Sequence, residues 1–365
     1  MASIEHVTAR TSNFLRNQWY CAGWFRSLEE KPIGLTMLGE YVVIYADPVG
    51  APIAVSGRCP HRFAPLDRGI VIGDRIMCPY HGLQFGRDGQ CVANPSGPVP
   101  PRAALKTYPV VVRNRALWVW MGDPKRADVG RLPPDGFMLD SDYATHTLYL
   151  RVRANYQIVI DNLLDLNHAP FLHANTLAPP ADGGPPKMPR HEYAVDGDVI
   201  HSNYYMDQAP PSPQMSSLYT DPLGAFAAEM TWRAPATLDL VVSLKPFPGG
   251  QARALHMPSV HYLTPESETT THYFAAIGRN QKLGDVEEDR RMIHFLEKAF
   301  VEEDEPMLRA CQDLMGTTDL FALDPIILKS DAAAIQARRT IERLKVAETS
   351  ADSHIVSPGY GGREP

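Results

Sequence analysis

Long apolar runs are missing from this 365-residue sequence, and no stretch approaches the roughly 20 residues a membrane helix requires. A helical membrane anchor is therefore not expected. The opening residues, Met1-Ala2-Ser3-Ile4-Glu5-His6, lack the basic and apolar regions of a secretory signal, so the expected compartment is the cytoplasm. Basic blocks are also missing. With 35 Lys and Arg against 42 Asp and Glu, the formal charge is −7, and nucleic acid is not an expected partner. No G-x-G-x-x-G stretch follows a strand pattern, so a dinucleotide site is not expected either. Glycine, at 26, is outnumbered by proline at 33, a ratio that predicts several long ordered loops.

A hydrophobic content of 44% and a charged content of 21% describe a globular chain with enough length for two domains. Cysteine is scarce, five in all, yet two of the five fall in the most informative stretch. Cys59-Pro60-His61 is followed, after sixteen intervening residues (62–77) that begin with Arg62, by Cys78-Pro79-Tyr80-His81. C-x-H and C-x-x-H supply two thiolates and two imidazoles, the ligand set of a Rieske [2Fe–2S] centre, with Cys on one iron and His on the other. A closed zinc site uses the same residue types but pairs like with like, Cys with Cys and His with His. The mixed halves favour the cluster. Cys21, Cys91 and Cys311 remain, an odd number that argues against a disulfide framework and is read as small buried thiols.

Around this motif the periodicity is that of short strands. Tyr41–Ala46 and Ile53–Ser56 read as a hairpin, Ile70–Ile72 as a strand between the two ligand loops, and 109–113 with Leu117–Trp120 as another hairpin across Asn114-Arg115. Pro60 and Pro79 stiffen the ligand loops. The Pro/Gly-rich, charged segment from Asp123 to Gly136 marks a domain boundary near residue 135. The expected architecture is α+β: an all-β domain over 1–135, a second domain over 136–350, and a flexible tail over 351–365.

The second informative stretch is Asn155 to His173. Asn162, Asp165 and His168 share one face of a helix. His173, five residues beyond His168, would sit roughly 140° away on a straight helix, so Pro170 is expected to end or kink the helix and let it swing back. Downstream, Glu302-Glu303-Asp304-Glu305 lies in a helical segment whose apolar stripe is Ile293, Leu296, Phe300, Met307, Cys311 and Leu314. Glu303 and Asp304 flank that stripe, and periodicity does not choose between them. On their own, Asn162, Asp165 and His168 read equally as the wet side of an amphipathic helix. Strand patterns fill the region between, from a hairpin across Asp196-Gly197 to 269–277. The Pro-rich stretch 174–190 leaves directly from His173 and is expected to be either a lid over the face that carries the two histidines or a surface insertion.

Taken together, these motifs resemble the Rieske non-haem iron oxygenases over roughly residues 15 to 345. The style is closest to the branch that includes vanillate O-demethylase and dicamba monooxygenase: Cys-Pro-His-Arg-Phe-Ala-Pro-Leu, Cys-Pro-Tyr-His-Gly-Leu, Asn-Leu-x-Asp-Leu-x-His, and His261-Tyr-Leu-Thr-Pro-Glu. The resemblance implies a helix-grip catalytic domain with a curved antiparallel sheet on long helices, and a mononuclear Fe(II) on His168, His173 and Asp304. Glu302, Glu303 and Glu305 are then left as a solvated acidic face. It implies a homotrimer in which Asp165 bridges His168 to His81 of a neighbouring subunit, with Asn162 and Asp165 as the catalytic pair. His261 matches the branch's substrate-binding histidine, and Arg233 is a second candidate for holding an aromatic carboxylate or phenolate. The implied activity is O-demethylation of a methoxylated aromatic with O2, releasing formaldehyde, with NAD(P)H electrons delivered by a separate reductase or ferredoxin. Ring hydroxylation or N-demethylation would use the same residues; a pure electron-transfer protein would leave His168, His173 and Asp304 without a purpose.

Overall fold

The computed structural model describes residues 13–28, 31–180 and 184–355, with side chains described to residue 350. In the N-terminal part, β-branched and aromatic runs form three small antiparallel sheets. One joins Trp19–Trp24, Ala116–Trp120 and Val110–Arg113; a second joins Ile33–Met37, Glu40–Ala46, Pro52–Ser56 and Thr107–Tyr108. The third runs Ile70–Ile72, Arg75–Met77, Gln84–Phe85 and Cys91–Ala93. These include the two expected hairpins and the strand between the ligand loops. Val43, Tyr45, Val55, Leu66, Ile76 and Phe85 make a small core of their own, with Cys59 and Cys78 in it.

The C-terminal part is a seven-stranded antiparallel sheet in the order Ala144–Val152, Thr270–Arg279, Leu255–Ser267, Thr237–Lys245, Gly224–Arg233, Val199–Ala209, Arg190–Asp196. Against it lie α1 (Tyr156–Leu164), the short α2 (Ala169–Leu172), α3 (Val286–Glu297), α4 (Glu305–Met315) and α5 (Ala332–Ile355). The α+β expectation therefore holds. α5 continues past the expected start of the tail at 351; residues 356–365, like 1–12, lie outside the described ones.

The boundary expected near residue 135 does not separate the packing of the two parts. Trp118 of the N-terminal part meets Tyr262 of the large sheet edge-on, with ring centroids 4.7 Å apart, inside one shared core. Across the same seam Thr264 Oγ1 donates to the Cys21 carbonyl at 2.6 Å, and His272 Nε2 lies 2.9 Å from the Thr36 carbonyl. Buried hydrogen bonds of this kind hold the two domains in one relative orientation.

Three helical details depart from the sequence expectation. The first helix ends at Leu164, not at Pro170: Asp165 takes φ −112° and ψ 86°, and its carboxylate accepts the Asn167 N–H at 3.0 Å, capping a new turn. Pro170 opens α2, where its missing N–H costs nothing. Between α3 and α4, Lys298–Asp304 is a π-helix. Its extra residue per turn advances the buried phase by one, so that Asp304, Leu308 and Gln312 face inward while Met307, Cys311 and Leu314 are exposed. The expected stripe is thus wrong beyond Phe300, and also at Ile293, which is exposed while Met292 is buried; Cys311 is not a buried thiol, and Cys21 and Cys91 are buried as expected.

Candidate metal centres and cavity

The two cysteine loops are built alike. Cys59 N–H donates to the Ala64 carbonyl at 3.0 Å and receives Phe63 N–H on its own carbonyl at 2.8 Å. Cys78 repeats both bonds at the same spacings, to Leu83 at 2.8 Å and from Gly82 at 3.1 Å. Each loop turns through a positive φ, 58° at Phe63 and 73° at Gly82, and a side chain at Gly82 would meet Pro95 Cγ at 2.9 Å. Cys59 and Cys78 are buried and interact, whereas His61 and His81 are exposed with ring centroids 4.5 Å apart. Burial pushes the Cys59 thiol up to about 11, opposed by the His61 and Arg62 backbone N–H groups that point at its sulfur. Two buried sulfurs beside two solvent-facing imidazoles fit a [2Fe–2S] cluster with its histidine-bound iron outward.

The second centre is assembled by the break after α1 and by the π-helix. Ligand atoms of His168, His173 and Asp304 lie within 4.8 Å of one another. Nε2 of His173 is 3.2 Å, and Nε2 of His168 3.7 Å, from Asp304 Oδ1. Each Nδ1 is tied away from this point: that of His168 to the Asp165 backbone carbonyl at 2.6 Å, that of His173 to Glu303 Oε2 at 2.7 Å. Nε2 of both rings is left as the lone pair that faces the carboxylate. Asn162 Nδ2 donates to Asp304 at 3.3 Å and lies 3.5 Å from His168 Nε2. Burial lowers the pKa of His168; for His173 the carboxylates of Asp304 and Glu303 outweigh burial and raise it. A pair of imidazoles and one carboxylate sharing a focus for positive charge fits a mononuclear divalent iron.

Two expectations are corrected at this centre. Glu303 is not part of a solvated face, because the π-helix turns it inward to accept from His173 and from Thr176 Oγ1, each at 2.7 Å. Asp165 meets His168 through its backbone carbonyl and not its carboxylate, since the chain reverses at Asp165 itself. Periodicity had left Glu303 and Asp304 level; nothing in the sequence pointed to Thr176.

A cavity of about 270 Å³ opens onto the three ligands. Its wall is largely apolar, including Leu177, Met206, Phe226, Val242, Met257 and Phe300. Parts of the Pro-rich stretch line it too, 177–180 and 184–187; residues 181–183 lie outside the described ones. His261 is in the wall, with Nδ1 2.7 Å from the Tyr273 hydroxyl and Nε2 3.0 Å from Ser259 Oγ. Burial pushes it down to about 4, so the ring is neutral. Arg233 is not in the wall. It pairs with Asp239 across the neighbouring strand, where the sheet register places Arg233 opposite Thr237, and is corrected to a structural ion pair.

Comparison with known proteins agrees with both halves. Residues 18–109 match the family described as Rieske [2Fe-2S] domain, and residues 152–347 the vanillate O-demethylase oxygenase C-terminal domain. The oxygenase component of dicamba O-demethylase from Stenotrophomonas maltophilia is 34% identical over 92% of this chain and 99% of its own. The oxygenase component of chloroacetanilide N-alkylformylase from Rhizorhabdus wittichii is 35% identical over 95% of this chain and 100% of its own. The crystal structure of dicamba monooxygenase bound to dicamba superimposes with a TM-score of 0.84, at 33% identity over 92% of this chain and 99% of that one.

Proposed function

Since this chain belongs to the Rieske non-haem iron oxygenases with a vanillate O-demethylase-type C-terminal domain, we propose that it is the oxygenase component that O-demethylates a methoxylated aromatic acid or phenol. The observation that carries the reading is the meeting of His168, His173 and Asp304 at the floor of an apolar cavity wide enough for a substituted ring. The net reaction consumes O2 and two electrons from NAD(P)H, converts the methoxy group to a hydroxyl, and releases formaldehyde and water. A separate reductase or ferredoxin supplies the electrons.

Cys59, Cys78, His61 and His81 would hold the cluster, and His168, His173 and Asp304 the iron; when bound, these groups supply single electrons and O2 activation respectively. The protein's own residues do the rest. Apolar side chains line the cavity beside the ligand triad and would exclude water from an aromatic ring bound there. Neutral His261, braced by Ser259 and Tyr273, adds a polar edge without charge. Asn162, bonded to Asp304, keeps that carboxylate turned to the two imidazoles.

Contact between sites is proposed to run through a neighbouring copy. His81 is exposed at the tip of its loop, and Asp165 on the surface-facing bend has a carboxylate that does not touch His168. A homotrimer would set the two against each other. The test of the activity is formaldehyde release from a panel of methoxybenzoates and methoxyphenols, with purified protein, a promiscuous reductase and NADH. Hydroxylated ring products without formaldehyde would reject demethylation and leave the oxygenase assignment standing.

A further inference from the structure

Among the described residues, six buried side-chain polar atoms have no hydrogen-bond partner, and of the residues that carry them Gln214 is the one that lines the cavity. The orphan is its Nε2, an amide donor on a side chain that is 95% buried. Leaving such a donor dry and unpaired costs free energy, which makes it a ready donor to a molecule that enters the cavity. The backbone beneath it is fixed from both sides. Gln214 N–H donates to the Thr176 carbonyl at 3.2 Å, and the guanidinium of Arg291 donates to the Gln214 carbonyl at 2.5 Å. Thr176 in turn holds Glu303, so the orphan amide is braced against the element that positions His173.

What the amide would meet depends on the charge of the wall. Lys187, an exposed residue, is the one lysine or arginine among the described lining residues. His261 is neutral with both ring nitrogens engaged, and Arg233 is spent on Asp239. Away from the iron that the triad would hold, a carboxylate carried into this wall would lose its hydration without gaining a buried side-chain cation, whereas an uncharged oxygen loses little and satisfies Nε2.

We propose that Gln214 anchors the substrate by donating its side-chain N–H to an uncharged oxygen on the ring, a phenol hydroxyl or a carbonyl, and that the cavity selects neutral aromatic ethers over aromatic carboxylates. This rests on the demethylase reading and narrows its substrate from acid or phenol to the neutral member.

The test is a set of dissociation constants for reduced, anaerobic holoenzyme with the isomers of methoxyphenol, methoxybenzoate and methoxytoluene. The best methoxyphenol is expected to bind about tenfold tighter than the matching methoxybenzoate, the cost of drying a charge exceeding that of a hydroxyl. Gln214→Met is expected to weaken methoxyphenol by about 3- to 10-fold, the range of one neutral hydrogen bond, and to move methoxytoluene by less than about twofold. Gln214→Leu, which is close in volume and removes the donor, is expected to weaken methoxyphenol as much. Iron content and the visible spectrum of the cluster report whether each variant is assembled. Tighter binding of methoxybenzoate, or equal losses for methoxyphenol and methoxytoluene in the variants, would overturn the proposal. Formaldehyde is scored separately: a methoxyphenol that binds through Gln214 without releasing it rejects demethylation and not the anchor.

Discussion

Glu303 Oε2 stands 2.7 Å from His173 Nδ1 and 2.7 Å from Thr176 Oγ1, so one carboxylate fixes a ligand imidazole and is itself fixed by the segment that lines the cavity. A carboxylate only accepts, and the His173 proton must therefore sit on Nδ1, leaving Nε2 free for metal. Removing the acceptor frees the tautomer and the ring. Glu303→Ala is expected to weaken Fe(II) binding at the mononuclear site by about 10- to 100-fold, the usual cost of an outer partner. The visible spectrum of the cluster should not change. Ferrous titration of the apo site measures the loss, and Thr176→Val should lose less, because Glu303 keeps its bond to His173. Equal affinity in Glu303→Ala and the parent would dismiss the positioning role.

His261 gives a pH signature. In the unfolded chain its ring takes a proton below about 6.5, but burial in the cavity wall holds the folded value to about 4. Between those values the unfolded state binds more protons than the native one, so stability falls as the pH drops from 6.5 towards 4 and is insensitive to this group above 6.5. Replacing His261 by Gln removes that contribution. Urea midpoints at about pH 7 and about pH 5 should converge in His261→Gln by the equivalent of roughly 2 kcal/mol relative to the parent. An unchanged difference would mean that the ring is protonated in the native cavity.

Much of this was legible before the structure. The ligand loops, the hairpins and most strands of the large sheet were readable because strand alternation and turn residues are local properties; the cluster rests on the mixed Cys and His spacing, whereas Asp304 came from the family resemblance and not from periodicity. What was misplaced depends on one backbone event each. Periodicity assumes 100° per residue, so the π-helix at Lys298–Asp304 moved every buried position after Phe300 by one and turned Glu303 inward. Pro170 is a sound helix breaker in the abstract, yet Asp165 broke the helix first by capping the next turn. Arg233 was credited with a ligand because its partner, Asp239, sits on the next strand and is invisible without the register. Gln214 carried no pattern at all, since an unpaired donor can be recognised only after every neighbour is placed.

Arg338 on α5 is 4% exposed and forks onto Asp161 of α1, with Nε 3.0 Å from both carboxylate oxygens and a second nitrogen 2.6 Å from Oδ2. It also donates to Gln157 at 2.9 Å. This pair clamps the long C-terminal helix to the helix that leads into the ligand bend. Arg338→Ala would leave Asp161 beside apolar neighbours with no cation, a loss of the order of 3 kcal/mol for a buried pair broken on one side. Asp161 is still partly solvated, which places the expected value at or below that figure. Chemical denaturation should show it as a lower midpoint, while Arg338→Met with Asp161→Leu should recover much of the loss. A single variant as stable as the parent would show that the fork is solvent-screened.

Asp165 separates a structural role from a relay role. Its backbone carbonyl, which no side-chain substitution removes, is what meets His168, and its carboxylate caps the following turn through the Asn167 N–H. Asn is a good cap in its own right, so Asp165→Asn should fold and should keep the cluster and the iron. If the carboxylate bridges to His81 of a neighbouring copy, however, the variant loses an acceptor for the second imidazole N–H at the point where the electron must cross. The expected result is near-parental iron and sulfide content, near-parental cluster reduction by the reductase, and turnover reduced by about 10- to 100-fold. The discriminating measurement is the rate at which a pre-reduced cluster is reoxidised with substrate and O2 present. A parental reoxidation rate would remove Asp165 from the path between the metals and, with it, the reason to place His81 of one copy beside His168 of the next.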